Sequence, residues 1–314
     1  MSIVKVLVIG YPSFDRIMRV SRAPFLGETG IILDPPGIPQ ATLGGCACNI
    51  AVAINRLGIG AAPVIVLGDD HDGQMMLKKL SEENVETSCV HQISNGKTAG
   101  TFLYIDPDGG HQTFYFPGSA DENIALQIPE TIVEGLKYGV ITVGNPFHTS
   151  MFVDQLSEAG IPLVWSLRND PHAFPFELVE RLVRTCSMLI MNEFEGKVLA
   201  DMLGLKGFES LLANQVETII LTQGSRGSKV FQRENEFVIS AVTPNNVLDP
   251  TGAGDAFVGG LLAGLCMGIS VEKAAKIGAC TSSFVIEKLG CQTNLPQWEL
   301  MSRRYEFAFG ESPA

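Results

Sequence analysis

The stretch Asp249-Pro250-Thr251-Gly252-Ala253-Gly254-Asp255 leads directly into an apolar segment that runs from Ala256 to Leu265. Two glycines separated by one alanine let the backbone take conformations that are closed to larger residues, so its N–H groups can approach a ligand closely. A helix that begins at this point adds unpaired amides and the positive end of its dipole. The pattern therefore predicts a phosphate-cradling loop at the start of a helix.

Asp255 places a negative charge where such an anion would arrive. A carboxylate beside a polyphosphate is electrostatically unfavourable unless it has a chemical role, such as accepting a proton from an attacking hydroxyl or helping to hold a metal ion. This reasoning predicts a phosphotransferase. The alternative is that Asp255 only stabilises the first turn of a helix, where aspartate is favourable for local reasons.

Composition limits the class of protein. The chain has 314 residues, of which 46% are hydrophobic, enough for one large α/β domain or two medium ones. A net charge of −12 argues against a nucleic-acid partner, and no apolar run approaches the roughly 20 residues of a membrane span. The N-terminus reads as a first strand rather than a signal peptide. Seven scattered cysteines form no disulfide framework, so we expect a reducing cytoplasm.

Short apolar runs alternate with helical patterns, which is typical of βαβ units around a mostly parallel sheet. The predicted strands are Val4 to Gly10, Pro63 to Gly68, Val140 to Gly144, Pro162 to Leu167, Met188 to Met191 and Thr218 to Thr222. The predicted helices are one that runs from about Ala47 and stops at Gly58, one over Ala253 to Met267, and one over Val271 to Glu287.

Two segments interrupt this rhythm. Ile31 to Thr42 is rich in proline and glycine, and Thr98 to Phe116 alternates like a hairpin around the turn residues 106–110. β segments inserted into a parallel α/β frame predict a small accessory sheet. The alternative is an ordinary hairpin at the edge of the main sheet.

The longer string DPTGAGDAFVGG, from Asp249 to Gly260, resembles the C-terminal signature of the ribokinase-like sugar kinases, also called the phosphofructokinase B (PfkB) family. The resemblance implies a three-layer α/β/α fold with a mostly parallel central sheet and a small β-sheet lid. Residues 1–11, 45–97 and 118–314 would form the main domain, and residues 12–44 and 98–117 the lid. In the family, the aspartate that matches Asp255 is the catalytic base. The amides that match Gly252, Ala253 and Gly254 receive the transferred phosphate.

The resemblance also implies an acceptor site in the first half of the chain. GGCACNIA, from Gly44 to Ala51, is similar to the family's GG…N motif, in which Gly44 and Gly45 would be a hinge and Asn49 would bond to acceptor hydroxyls. Asp15 stands where the family places a sugar-binding aspartate. Arg168 falls where many members show Asp-x-Asn-x-Arg, although the first two polar residues are missing here, and it would contact phosphate. The alternatives are a tight Gly-Gly turn and a solvated loop aspartate.

The implied nucleotide site lies in the second half. Asn192 and Glu195 have the NxxE spacing that organises Mg²⁺ through water in the family, and they also read locally as a helix capping box. Thr222, Gly224 and Gly227 match a TxGxxG nucleotide loop. The segment 290–296, which includes Asn294, resembles one that lines the adenine pocket. In some members this segment binds a monovalent cation such as K⁺ with the residue that matches Asp249. Asp249 would otherwise only fix its loop through backbone hydrogen bonds.

The expected reaction is transfer of the γ-phosphoryl group of ATP to a primary hydroxyl of a sugar or sugar derivative. A nucleoside acceptor of the adenosine type is the runner-up, because GGCACNIA also resembles a segment of some bacterial adenosine kinases. Aromatic residues alternate along the hairpin and would stack on a base, form the apolar face of the lid, or make a homodimer contact. These residues are Phe102, Tyr104, Phe114 and Phe116. A non-catalytic sugar or nucleotide sensor is the hypothesis from a different class.

Replacement of Asp255 tests the central prediction. Asp255→Asn is expected to keep the fold and ATP binding and to lower turnover by at least about 10² to 10⁴, the usual contribution of general-base catalysis. Steady-state ADP release and calorimetric ATP binding measure the two effects. Near-normal turnover in this variant would remove Asp255 from the role of base.

Overall fold

A nine-stranded sheet forms the centre of the molecule, in a computed structural model that describes residues 3–22, 24–33, 40–107, 111–213 and 215–313. Its strand order is β13-β12-β11-β10-β9-β8-β1-β4-β5. The strands are β1 (Val4–Ile9), β4 (Gly60–Gly68), β5 (Val90–Ile93), β8 (Tyr138–Ile141), β9 (Leu163–Ser166), β10 (Met188–Asn192), β11 (Thr218–Thr222), β12 (Ser228–Gln232) and β13 (Glu236–Ile239). All pairings are parallel except those of β12 with β11 and β13, which are antiparallel.

Helices cover both faces of this sheet, which explains why its central strands are nearly continuous apolar runs. The helices are α1 (Cys46–Arg56), α2 (His71–Glu82), α3 (Glu130–Val133), α4 (Pro146–Glu158), α5 (Phe176–Thr185), α6 (Glu193–Met202), α7 (Ala253–Cys266), α8 (Val271–Val285) and α9 (Trp298–Phe309). In β1, Val6 and Val8 pack with α1, α7 and α8, whereas Leu7 and Ile9 pack with α4 and α5 on the other side. The result is a three-layer α/β/α architecture, as predicted.

A separate four-stranded sheet with the order β3-β2-β6-β7 lies beside the central one. It comprises β2 (Ser13–Arg19), β3 (Gln40–Gly44), β6 (Gly100–Ile105) and β7 (His111–Phe116). The predicted accessory sheet is therefore present. Residues 34–39 of the proline-rich segment and residues 108–110 of the expected hairpin turn lie outside the described residues.

The strands and helices predicted from apolar runs and helical spacing are all observed, with ends that differ by a few residues. The first predicted helix stops as expected at Gly58, whose φ of 86° is the left-handed conformation that ends many helices. Three strands of the main sheet were missed, namely β5, β12 and β13. All three strands are short and lie toward one edge or the other of the sheet, and β5 and β13 carry exposed polar residues, so the apolar alternation is weak.

Close packing of α1 against α7 brings the two halves of the chain together. Gly259 on α7 faces Ala53 on α1, and a methyl group added at Gly259 would lie only 2.5 Å from the Ala53 Cβ. The small residues on both helices therefore let their axes approach closely. This approach places the first turns of α1 and α7 side by side at the carboxyl edge of the sheet. Among the described residues, no helix is both long and apolar enough to span a bilayer.

Candidate active site

Asp255 lies in the first turn of α7 and is 5% exposed. Its two carboxylate oxygens have different donors. Arg168, which follows β9, donates from Nη2 to Asp255 Oδ1 at 2.8 Å. Asn49, which lies on α1, donates from Nδ2 to Asp255 Oδ2 at 2.9 Å. A buried carboxylate needs such partners because burial without them is costly. Three residues that are far apart in sequence thus meet at one carboxylate, and all three were predicted as site residues.

The loop before α7 has the conformation that the sequence predicted. Gly252 has a φ of 80°, and a Cβ there would come within 2.7 Å of the Cys291 Cβ, so both backbone angle and space require glycine. Among the described residues, nothing accepts a hydrogen bond from the amides of Gly254 and Asp255. The Ala253 amide, in contrast, donates to the carbonyl oxygen of Pro250 at 3.2 Å. Of the three amides that the sequence predicted as anion donors, that of Ala253 is thus used inside the turn, whereas the Gly254 amide remains open, and the Asp255 amide beside it is open as well.

Asp15 lies on β2 with its carboxylate against Gly44, where a Cβ would come within 2.0 Å of Asp15 Oδ2. The hydroxyl of Ser13 donates to Asp15 Oδ1 at 2.5 Å and is itself 2.6 Å from the hydroxyl of Thr101. Burial raises the pKa of Asp15; the hydroxyls of Ser13 and Thr101 lower it through hydrogen bonds, and the charge of Asp255 raises it. The hydroxyl of Ser13 thus holds the Asp15 carboxylate in place.

Gly45 connects the second sheet to α1. Its φ is 88°, and a Cβ there would lie 2.5 Å from the Tyr11 carbonyl oxygen. Gly44 and Gly45 therefore let the chain between β3 and α1 pack closely against Asp15 and against the backbone that follows β1. They lie at the position predicted for a hinge.

The register of the second sheet separates its aromatic residues onto two faces. Asp15 pairs with Thr101, and Thr101 pairs with Tyr115, so these three side chains share one face, which we call the inner face. The neighbouring residues Phe102, Tyr104, Phe114 and Phe116 share the opposite face, which we call the outer aromatic face. The idea that these four residues stack on a base does not fit this register, because they point away from Asp15.

Tyr115 is the aromatic side chain that does lie on the inner face. Its ring packs against Tyr11, which follows β1, with centroids 5.3 Å apart, and its hydroxyl donates to the Pro12 carbonyl oxygen at 3.2 Å. The Tyr11 hydroxyl donates to Asp121 Oδ1 at 2.8 Å. Tyr11 and Tyr115 together form an aromatic pair that spans the gap between the second sheet and the main domain.

The residues predicted to bind nucleotide lie along β10 and β11, next to β9 and Arg168. The capping box is present, with the Glu195 amide donating to Asn192 Oδ1 at 2.9 Å and the Asn192 amide donating to Glu195 Oε2 at 2.7 Å. Thr222 ends β11, and Gly224 and Gly227 bracket a short 3₁₀ turn. Thr222 Oγ1 is within 3.4 Å of the Met191 carbonyl oxygen. Burial raises the pKa of Glu195, while the Asn192 amide and the charge of Arg168 lower it.

Asp249 and Asn294 are both used for internal hydrogen bonds. Asp249 Oδ1 accepts from the Thr251 amide at 2.9 Å, and Oδ2 accepts from the Gly290 amide at 3.1 Å, which fixes two loops together. Asn294 Nδ2 donates to the Phe284 carbonyl oxygen at 2.6 Å, at the end of α8. The side chain of Asn294 therefore ties down the segment after α8 rather than projecting from it.

Three residues near the site were missed by the sequence reasoning as site residues. Gln292 contacts Asn49, Tyr11 contacts Tyr115, and Cys46 lies beside Asp255 and Arg168. Burial, together with the charge of Asp255, raises the pKa of the Cys46 thiol to about 12, which favours the protonated thiol over the thiolate. The only signal in the sequence is their position: Cys46 lies within the GGCACNIA segment, Tyr11 follows β1, and Gln292 follows α8.

The side chains of the site offer few ligands for direct binding of a metal ion. The described residues contain no group of three or more His, Cys, Asp and Glu side chains placed to hold a metal ion. Glu195 uses Oε2 in the capping box, and its other carboxylate oxygen, Oε1, takes no part in that motif. This oxygen suits a magnesium ion that is held through water and phosphate oxygens, since Mg²⁺ commonly keeps several waters.

Comparison with known proteins agrees with this geometry. Residues 5–298 match the pfkB family carbohydrate kinases, so the chain belongs to that family. It is therefore a phosphotransferase that uses an alcohol group as acceptor, with a ribokinase-like fold.

Three relatives illustrate the range of acceptors in the family. A nucleoside kinase from Methanocaldococcus jannaschii is 27% identical over 302 residues, which cover 96% of this chain and 97% of the relative. A ribokinase from Lactococcus lactis subsp. lactis is 27% identical over 296 residues, covering 93% and 94%. The structure of a Burkholderia thailandensis nucleoside kinase in complex with inosine superposes with a TM-score of 0.84 at 25% identity, covering 98% of this chain and 99% of that one.

The raised pKa of Asp15 implies a cost in stability that can be measured. A carboxyl whose pKa is raised by folding destabilises the fold when ionised, and the cost disappears as the pH falls through the folded pKa toward the unfolded value of about 3.9. Asp15→Asn is therefore expected to melt at a higher temperature than the wild type at pH 7 to 8. The difference should shrink as the pH approaches 4, and scanning calorimetry across this range measures it.

The same variant is expected to lower kcat/KM for the acceptor by at least about tenfold, because a charged hydrogen-bond acceptor is lost. Asp201→Asn, at an exposed position on α6, is the matched control and should change neither quantity. A Tm for Asp15→Asn that stays below the wild type at pH 8 would contradict this account of the Asp15 environment.

Proposed function

We propose that this protein transfers the γ-phosphoryl group of ATP to the primary hydroxyl of a nucleoside, with Asp255 as general base. The observation that carries the proposal is a buried carboxylate in the first turn of α7, next to amides of Gly254 and Asp255 that have no acceptor among the described residues. Amides at a helix start attract phosphate, and a fixed carboxylate beside them accepts a proton from an attacking hydroxyl.

The residues around Asp255 support in-line transfer. Each oxygen of a carboxylate can accept more than one hydrogen bond, so Asp255 can receive the acceptor hydroxyl while Arg168 and Asn49 keep it oriented. The Arg168 guanidinium also lies close to Gly254, since a Cβ at Gly254 would be 3.0 Å from Arg168 Nη2. Arg168 can therefore contact Asp255 and a phosphoryl group at the same time, which stabilises negative charge as it develops.

The donor is assigned to the edge formed by β10 and β11. ATP would lie with its phosphates between the start of α7 and Glu195, and its nucleoside part toward Thr222, Gly224 and Gly227. A magnesium ion bound with ATP supplies charge neutralisation on the phosphate oxygens. Glu195 would hold that ion through water. A monovalent cation bound beside Asp249 is a separate proposal. The hydrogen bonds of Asp249 favour the alternative, in which Asp249 only fixes its loop, because both of its carboxylate oxygens already accept backbone amides.

The acceptor is assigned to the space between Asp255 and the inner face of the second sheet. Asn49 and Asp15 are the polar side chains there that can pair with ribose hydroxyls. The second sheet would act as a lid that keeps water away from the activated phosphoryl group. Gly44 and Gly45, which join this sheet to α1, are suited to the bending that closure requires.

A nucleoside is favoured over a free sugar by two observations. The relatives include the nucleoside kinases of M. jannaschii and B. thailandensis, the second of which binds inosine. In addition, Thr101 and Tyr115 follow Asp15 in a row across the inner face, with neighbouring strands about 5 Å apart. A ribose held at Asp15 would thus bring its base to Tyr115 and Tyr11, whose rings can stack on it.

A free sugar is the second candidate, as the sequence first favoured. The relative from L. lactis is a ribokinase, and the residues expected to hold ribose hydroxyls serve a free pentose as well as a nucleoside. The two candidates differ only in whether the acceptor carries a base that stacks on Tyr11 and Tyr115.

A homodimer formed through the second sheet is the remaining proposal. The outer aromatic face is exposed, with Phe114 at 58%, Phe116 at 49% and Phe102 at 36%. An exposed apolar face of this kind is suited to a second copy of the same face, because a twofold interface pairs identical surfaces.

A substrate screen with ATP and magnesium tests the function and separates the candidates. We expect adenosine, inosine, guanosine or cytidine to give a higher kcat/KM than ribose or fructose, measured as ADP release. Tyr115→Leu should lower kcat/KM for the best nucleoside by at least about tenfold, since stacking on an aromatic ring contributes about 1 to 3 kcal/mol per base.

Tyr115→Phe is the matched control, because it keeps the ring and removes only the hydroxyl, and it should stay within about threefold of the wild type. Ribose turnover that exceeds every nucleoside would favour the sugar candidate. An enzyme that releases no ADP with any of these acceptors would overturn the proposed function.

The homodimer is tested by light scattering on the purified protein. The wild type is expected to have the mass of two chains, and Phe114→Glu with Phe102→Glu should have the mass of one, because two buried charges disfavour the interface. Val238→Glu with Val247→Glu, which adds the same charges at exposed apolar positions elsewhere, is the control. A wild type with the mass of one chain at micromolar concentration would exclude this dimer.

A further inference from the structure

Gln292 lies in the loop that follows α8 and is half-buried. Its Nε2 donates to Asn49 Oδ1 at 2.8 Å, and Asn49 Nδ2 in turn donates to Asp255 Oδ2 at 2.9 Å. A chain of hydrogen bonds therefore runs from the end of α8 through α1 to the first turn of α7. The segment 290–296 was expected to face a nucleotide, yet Gln292 reaches the acceptor side of Asp255.

The chemistry of the two amides makes this chain directional. A carboxylate can only accept, so Asp255 requires the NH₂ end of Asn49. A side-chain amide can turn by 180° and exchange its oxygen and nitrogen, and its orientation is decided by its partners. The carboxylate of Asp255 therefore sets the direction of the chain, and Gln292 Nε2 stabilises it by donating to the oxygen end of Asn49.

The loop that carries Gln292 is itself firmly attached. The Gly290 amide donates to Asp249 Oδ2 at 3.1 Å, and Cys291 packs against Gly252 in the turn before α7. Gln292 is thus held by the same loop that bounds the anion-binding turn. Its position is fixed relative to both Asp249 and the start of α7.

We propose that Gln292 is a positioning residue, which locks the Asn49 amide with its NH₂ group toward Asp255 and so fixes the orientation of the Asp255 carboxylate. This inference rests on the proposed role of Asp255 as base. It assigns Gln292 no contact with the reacting atoms. Arg168 holds the other oxygen of Asp255, so the carboxylate is oriented from two sides, and Gln292 controls one of them.

A spectroscopic test does not require turnover. In protein labelled with ¹⁵N-asparagine, the Asn49 side-chain NH₂ signals are identified by their loss in Asn49→Ala. Gln292→Met, which keeps the size of the side chain and removes the donor, is expected to move the Asn49 signals. Gln74→Met, at an exposed position on α2, should leave them in place. Unmoved Asn49 signals in Gln292→Met would overturn the proposal, whether or not the enzyme phosphorylates any acceptor.

A kinetic test compares two substitutions. Gln292→Met is expected to lower kcat about fivefold, the effect of one lost hydrogen bond, with KM for ATP unchanged within about twofold. Gln292→Glu should lower kcat by more than about tenfold, because its carboxylate also requires the NH₂ end of Asn49 and competes with Asp255. A merely structural role predicts the reverse order, since Glu is closer to Gln in shape than Met is.

A double-mutant cycle decides whether Gln292 acts through Asn49. In the Asn49→Ala background, Gln292→Met should change kcat by less than about twofold, because the intermediate residue is gone. Fully additive losses in this background would overturn the proposal, as would a Gln292→Met enzyme with the wild-type kcat. An enzyme that is inactive toward all acceptors would instead contradict the proposed function, and the spectroscopic result would still test the position of Asn49.

Discussion

The site depends on the burial of one carboxylate. Asp255 is almost fully removed from solvent, and a charge in such a place is tolerated only when donors surround it. Arg168 and Asn49 supply those donors from the end of β9 and from α1. The need to satisfy Asp255 therefore ties together three elements that are separated by 87 and 206 residues in sequence.

This constraint explains why the surrounding backbone is so tightly packed. Small residues where α7 crosses α1 let Asn49 reach the carboxylate, and Gly252 allows the turn before α7 to press against Cys291. The amides at the start of α7 remain open because the turn uses the Ala253 amide internally and spares those of Gly254 and Asp255. A carboxylate and an anion site can coexist here because each has its own set of partners.

Much of the fold and part of the site followed from the sequence. Apolar runs gave the central strands because both faces of those strands are buried, and the glycine-rich turn identified the start of α7. Short edge strands such as β5 were missed because half-exposed strands carry little apolar pattern. Gln292 and Tyr11 were missed as site residues because a glutamine or a tyrosine in a loop has no local signature of its partner.

The sequence by itself determined the layered α/β architecture, the anion-binding turn and the candidate base, since these depend on local spacing and glycine conformation. Only the tertiary structure decided which partners Asp255 has, that the alternating aromatic residues of β6 and β7 point away from Asp15, and that Tyr115 takes the inner position. The physical reason is that strand register and long-range hydrogen bonds set which side chains face one another, and neither is encoded in the pattern of any single segment.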